Sequence, residues 1–329
     1  MNVFYLPVFV TVAALIGVFV LGGKAALFVA LLLILLEVTL SFDNAVVNAR
    51  VLMRMDERWQ KRFLTWGMLI AVFGTRVILP IVIVSASVGI SPFVIATLAL
   101  SSPETYAHLL EGSRYAIQSF GAAFLLMVSL KYFFDQEKNV HWILRVEQAL
   151  SRWGKIEAIE IGIALSIVVV FAFMVPLEAR ATVLLAGAVG LILFIFMEGI
   201  ASLFSIETKE AAAHGATLFV YLNILDSAFS LDSVVGAFAL TTSLPIIVVG
   251  LGIGAYFVRA LTIYFVRMGT LTSLVYLEHG AHWAIFGLAA SMFASLLLEV
   301  PEIVTGTIGA IFVFAAYYSS VRFRRVVAT

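Results

Sequence analysis

Two short stretches hold the residues best able to do chemistry. Glu37-Val-Thr-Leu-Ser41-Phe-Asp43-Asn44 and Asp226-Ser-Ala-Phe-Ser230-Leu-Asp232-Ser233 share one pattern: an acid, three residues, a serine, an apolar residue, an aspartate and a small polar residue. A Val-Val pair follows soon after each. Carboxylate, amide and hydroxyl oxygens are hard ligands, suited to manganese, magnesium or calcium and less to zinc or copper. The chain has no cysteine, which excludes disulfides, thiolate metal sites and cysteine nucleophiles. Downstream of each stretch an arginine stands nine residues after a glycine, Gly67 to Arg76 and Gly250 to Arg259. Matched pieces in matched order mark an internal duplication. The four acids and two arginines leave a formal excess of two negative charges, which one divalent cation neutralises.

The elements that must position these residues are membrane helices. Hydrophobic residues make up 63% of the 329-residue chain and charged residues 12%, where a soluble domain carries roughly twice that charge. Mean hydropathy is +1.10. Ten apolar segments are visible, near 5–23, 25–49, 64–89, 119–135, 157–175, 181–204, 216–240, 244–266, 281–299 and 303–321. The expected fold is therefore an all-α polytopic transmembrane protein of about ten helices. The fourth segment is short unless Lys131 and Asp135 snorkel at its end. The stretch 90–118, with Pro92 and Pro103, reads as a loop or a partial re-entrant element. The N-terminus lacks a basic n-region, so the first segment reads as a retained span. Zero net charge implies no nucleic-acid partner. No loop is long enough for a soluble catalytic domain, and no enzyme is expected.

Lysine and arginine positions orient the spans. With ten spans and a cytoplasmic N-terminus, fifteen of the twenty basic residues lie inside, Lys209 and Arg267 among them. Only Lys24, Arg114 and Arg180 fall outside, and Arg76 and Arg259 fall within spans. The C-terminus is then cytoplasmic too. The second and seventh spans, which carry the motifs, must run antiparallel. This predicts an inverted-topology repeat with its site near the midplane. One repeat falls in residues 1–155, with motif 37–44, and the other in 156–329, with motif 226–233.

At about 100° per residue, Glu37, Ser41, Asn44 and Asn48 form one stripe, and Asn223, Asp226, Ser230 and Ser233 its counterpart. Asp43 and Asp232 point about 120° away on a straight helix. Either the helix unwinds near the serine, the favoured form, or each aspartate faces a second partner, for which Arg76 and Arg259 are the candidates. Salt bridges to those arginines also compete as the whole explanation of the acids. Asn48 and Asn223 read as helix-end residues. Gly250, Gly252 and Gly254 read as a packing face. Glu278 and His279 to His282 read as a solvated helix start, Glu299 and Glu302 as a polar rim, and Glu198 as a snorkelling acid. The amphipathic segment 136–155, with Trp142, Ile143, Val146 and Leu150 on one face, reads as an interfacial helix.

The stretches LEVTLSFDNAVV and LDSAFSLDSVV resemble the paired signatures of the TerC family of integral membrane proteins. Lys131 after FGAAFLLMVSL, and the TRV around Arg76, sit where that pattern would put them. The run YLEHGAHWAIFGLAA with VPEIVTGTIG resembles a branch known as a domain of unknown function. The resemblance covers most of residues 25–320. It implies kinship with manganese exporters, with inverted-repeat small-solute exporters, and with the label of tellurium resistance. Carried over residue by residue, it marks Glu37, Asp43, Asn44, Asp226, Asp232 and Ser233. The longer middle region and extra N-terminal span depart from the simplest pattern.

These readings point to a multi-pass protein of a bacterial-type plasma membrane that exports a divalent cation as its substrate. Manganese is favoured, with calcium and magnesium as alternatives and a proton as candidate counter-ion. Glu37, Asp43, Asp226 and Asp232 would hold the ion, Asn44 and Ser233 would add neutral oxygens, and Arg76 and Arg259 would balance charge. No cofactor is called for; the partners are the bilayer, the ion and the proton, with an oligomer allowed. The alternative is a membrane scaffold that binds partner proteins in metal or tellurium resistance. An organic-solute exporter is a further rival that cavity size would discriminate.

Overall fold

The computed structural model describes residues 3–136, 138, 140–207, 211–241, 243–267, 274–298 and 300–327. Lys209 and Glu299 lie outside the described residues, and so do the side chains of Asp43, Asp232 and Glu302.

A backbone in hydrocarbon must satisfy its own N–H and C=O groups, and this chain does so with helices. The described residues form fourteen α-helices and one π-helical segment. Five helices are long and apolar enough to span a bilayer, and the protein is an all-α polytopic membrane protein. The helix count exceeds the expected ten because kinks and prolines divide the spans and because two connections are themselves helical.

α1 (Tyr5–Leu40) carries the first two spans. Gly23, at φ 73° and ψ −167°, cuts it in two. That backbone region is essentially open to glycine alone. α1 ends at Ser41, and α2 (Phe42–Leu52) resumes at once. The Ser41 N–H still donates to the Glu37 carbonyl at 2.9 Å, so the break is one residue deep. The second motif lies in α11 (Ala211–Leu240), which is helical throughout. The favoured unwinding thus holds only for the first copy, and only as a kink.

The third span is composite. α3 (Glu57–Leu69) starts at Asp56, whose side chain caps the Trp59 N–H at 2.8 Å. A π-helical stretch, Ile70–Ile78, follows and leads into α4 (Leu79–Val88). Pro80 stands at the seam, where it cannot donate a helical hydrogen bond.

The stretch expected as a loop or a partial re-entrant element is a helical pair, α5 (Pro92–Ser101) and α6 (Pro103–Gly112), which sets the loop reading aside. A proline opens each, a position where its missing N–H costs nothing. Tyr106 of α6 packs edge-on against Phe238 of α11, with centroids 5.3 Å apart. α7 (Arg114–Phe134) starts before the expected residue 119 and is 21 residues long, so its span needs no snorkelling. The remaining helices are α8 (Leu144–Trp153), α9 (Ile159–Met174), α10 (Leu177–Glu207), α12 (Leu244–Arg267), α13 (Leu277–Ala294) and α14 (Glu302–Val327).

α7 forms the centre of the bundle, with 83% of its span buried against 17% for α1. The outer side chains of α1, such as Phe9 and Leu21, are exposed and apolar, as a lipid-facing helix requires. The main core draws on residues on either side of residue 155. α12 lies along α1, and α11 lies along α3 and the π-helical stretch. The glycine face of α12 makes this approach possible. A Cβ on Gly250 would stand 2.6 Å from Leu33 Cβ, and one on Gly254 would stand 2.5 Å from Glu37 Cβ. Gly252 is different: a Cβ there would meet only Val72, at 3.4 Å.

Overpacking a tight contact costs about 1–3 kcal/mol. Gly254→Ala is therefore expected to lower the unfolding temperature of the purified protein, while Gly252→Ala leaves it unchanged. Equal melting of the two variants would contradict the α1–α12 packing described.

Candidate cation site

Glu37 sits near the end of α1 and is fully buried. Its Oε1 accepts from the Ser41 hydroxyl at 3.0 Å and from Arg76 Nη2. Its Oε2 has no hydrogen-bond partner. Arg76 rises from the π-helical stretch, 2% exposed. Its other guanidinium nitrogen donates to Thr75 Oγ1 at 3.2 Å and to the Ala71 carbonyl five residues back. π-helical segments recur at functional sites, and here the widened turn aims Arg76 at Glu37.

The second copy repeats the pairing with looser geometry. Asp226 of α11 lies 3.8 Å from Arg259 of α12. That is ion-pair range, but too long for a hydrogen bond. Arg259 spends its donors elsewhere, on the Phe63 carbonyl and, at 2.6 Å, on the Gly67 carbonyl. Its guanidinium also stacks 4.3 Å above the Phe63 ring. A Cβ on Gly67 would come within 2.8 Å of Arg259 Nη1, so the first glycine–arginine pair makes room for the arginine of the second.

The structure thus pairs each arginine with the first acid of a motif. Whether the arginines also face Asp43 and Asp232, the alternative to unwinding, falls on side chains that lie outside the described residues. Asn44 and Ser233 are each 1% exposed. Ser230 and Ser233 donate to their own helix, at 2.7 Å to Asp226 O and 3.0 Å to Ser230 O. Their interhelical role is therefore limited to lone pairs. Asn48 and Asn223, read from sequence as helix-end residues, are buried, and the Oδ1 of each lacks a hydrogen-bond partner. Among the described residues, no three acidic or imidazole groups converge to hold a metal ion.

A cavity of about 920 Å³ opens at one end of the bundle. α2, α7 and α10 reach it with their C-terminal halves, through Val47, Arg50, Lys131 and Glu198. α9, α11 and α13 reach it with their N-terminal halves, through Glu160, Tyr221, Glu278 and His282. The two motif helices therefore meet one cavity with opposite chain sense, as an antiparallel pair must. Arg50 forms an ion pair with Glu278, and Lys131 lies 3.7 Å from Glu198 and 3.9 Å from Glu160. Glu198 is thus a cavity acid beside Lys131. His282 stacks flat on Tyr132, with centroids 3.6 Å apart.

The start of α13 is not the solvated turn expected. His279 is 3% exposed, and its Nδ1 donates to Glu147 Oε2 at 2.7 Å. Glu147 is the fully buried residue of α8. Trp283 Nε1 donates to it at 3.0 Å, the Trp142 N–H donates at 3.2 Å, and Lys138 Nζ lies 3.3 Å away. Val146, on the apolar face read from sequence, is exposed. A signal for Glu147 was present: it falls between Ile143 and Leu150 on the apolar stripe. Burial alone would raise its carboxyl, but the hydrogen bonds from His279 and Trp283 and the charges of His279 and Lys138 hold it at about 2.

A helical membrane protein with a buried acid–arginine pair in each half of the chain is the class this architecture defines. The family model described as "Protein of unknown function (DUF475)" matches residues 42–327, and the chain belongs to that family. No curated protein and no solved structure matches it.

Two outcomes are expected. Removing one partner of a buried ion pair costs about 3–5 kcal/mol. Arg76→Met should therefore destabilise strongly, and Glu37→Gln added to it should restore much of the loss; additive losses in thermal melts would deny the coupling. The second concerns pH. Glu147 has a depressed carboxyl, so its stabilisation is full above the ordinary 4.5 and is lost as pH falls towards about 2. Melting temperature should fall across that window and fall less steeply in Glu147→Gln.

Proposed function

We propose that the protein exports a divalent cation, manganese before calcium or magnesium, through a midplane site between the two motif helices. The observation that carries this reading is chemical. Buried carboxylates in membrane helices are costly, about 3 kcal/mol each on insertion scales, and here they keep unused acceptors. Among the described residues, Glu37 Oε2 has no hydrogen-bond partner, and Asp226 is held only by an ion pair at 3.8 Å. The arginines offset the first acids, which leaves Asp43 and Asp232 as the formal charge that one divalent ion would balance. Asn44 and Ser233 would contribute neutral oxygens. The TerC-like motifs agree with this reading, and family kinship with manganese exporters is part of the proposal. The basic residues at the cavity end support a cytoplasmic placement of that end, and a proton exchanged at one of the acids would drive export.

The cavity supports a second reading. Its volume of about 920 Å³ suits a small organic solute better than a bare ion. Competition separates the two. Manganese efflux from cells expressing the protein should fall at least tenfold in Asp43→Asn, Asp226→Asn and Asp232→Asn, and organic cations should not inhibit it. Unchanged efflux in all three variants would sink the site assignment.

A further inference from the structure

The two faces of α3 are used differently. Trp59, Gln60, Phe63 and Gly67 turn inward, and all are engaged. Trp59 packs on Phe219 of α11, with centroids 5.6 Å apart. Gln60 donates its amide to the Leu52 and Met55 carbonyls, at 3.1 and 3.0 Å. The Phe63 and Gly67 carbonyls accept from Arg259. Arg58, Lys61, Arg62, Thr65, Trp66 and Leu69 follow at spacings of three and four residues and form the other face. They are exposed, Arg62 partly so. None of the three cations forms an ion pair among the described residues. The acids beside them are Asp56, which caps the Trp59 N–H, and Glu57 on the flank. Arg62 is held 4.4 Å over the Trp59 ring, which positions its guanidinium at this face.

Depth orders the same face. The apolar span Ile70–Val88 begins directly after Leu69. Leu69 and Phe73, 50% and 53% exposed, face lipid, and Trp66, 64% exposed, is the residue type of a membrane boundary. At 1.5 Å per residue, Arg62 stands about 6 Å beyond Trp66 along the axis. The headgroup layer is about 5–7 Å deep on each side of the hydrocarbon. Arg62 and Lys61 therefore stand at its level, and Arg58 one turn further out, where a long flexible stem can still reach back to it.

We propose that this face of α3 binds an anionic phospholipid, with Arg58, Lys61 and Arg62 on its phosphate and Trp66, Leu69 and Phe73 along its acyl chains. The inference does not depend on the export reading. Guanidinium groups present paired donors that match phosphate oxygens. A zwitterionic headgroup balances its phosphate with its own ammonium, whereas an anionic one leaves that charge to the protein. The lipid would brace α3 from outside, across the helix from the carbonyls that bind Arg259.

The test uses the purified protein in nanodiscs of phosphatidylcholine with and without phosphatidylglycerol. Phosphatidylglycerol should raise the unfolding temperature, and native mass spectra should show it retained over phosphatidylcholine. Arg58→Gln, Lys61→Gln and Arg62→Gln together should abolish the rise and weaken retention at least tenfold. High salt should release the lipid from the unaltered protein. Arg145→Gln, Arg152→Gln and Lys155→Gln together remove the same charge at α8 and should leave both readouts unchanged. Trp66→Ala keeps every cation and should still weaken retention at least threefold, which serves as the test if the α3 triple variant does not fold. Equal losses in the two triple variants, or unchanged retention in the α3 triple or in Trp66→Ala, overturn the proposal. Release of the lipid by inorganic phosphate also overturns it, because that marks a site for a free anion.

Discussion

The structure depends on one constraint: a charge placed among membrane helices must find its partner there. Each first acid of the repeated motif meets an arginine, and the packing around them is shaped by that need. The π-helical stretch turns Arg76 onto Glu37. Gly67 clears the path of Arg259 to the carbonyls of α3, and Gly254 lets α12 close on the stem of Glu37. These are features of backbone geometry, and each exists where a guanidinium or carboxylate has to be accommodated. An arginine that binds two carbonyls of a neighbouring span also holds that span in place, so the ion pairs tie the bundle together as well as neutralising it.

The two copies use the constraint differently. Glu37 is fully buried and gripped by both Arg76 and Ser41. Asp226 keeps only a long ion pair, because Arg259 is committed to backbone oxygens. A carboxylate whose counter-charge is close but not bonded loses little when an ion or a proton replaces that attraction. One bonded at short range loses much. In the proposed exporter, the first half is then the fixed wall of the site and Asp226 the exchangeable acid.

Much of this was legible in the sequence, for reasons that differ by element. The apolar segments give the helices because hydrocarbon leaves the backbone no other choice. The break at Gly23 and the glycine face of α12 follow from local residue types. The motif repeat located Glu37, Asp226, Arg76 and Arg259 before any coordinates. The pairing among them was not legible, since helical periodicity fixes the faces within one span but not which other span each face meets. The helices at 92–112 read in sequence as a loop or a partial re-entrant element because proline breaks a helix interior, although it is also at home in a first helical turn. Glu147 was passed over because an acid on an apolar stripe looks like an interruption. Its four donors come from the connection before α8 and from α13, with Lys138 adding an ion pair, and no local pattern announces such a convergence.

The opposite chain sense of α2 and α11 at the cavity has a mechanical consequence. One helix leaves the membrane there and the other enters, so a displacement of either along its axis moves its acid relative to the other. Arg50 on the far side of α2 is bound to Glu278, and the adjacent His279 is bound through Glu147 to α8. The end of the first motif helix is thus linked through the start of α13 to a helix outside the spans. Sliding α2 would have to break or carry that chain of contacts. α11 is held near the same end by a different neighbour, through the ring contacts of Phe219 with Trp59 and Phe63 of α3. In the proposed exporter, the two motif helices are thus restrained by separate sets of contacts, and the long Asp226–Arg259 ion pair is the one that an ion or a proton would replace at least cost.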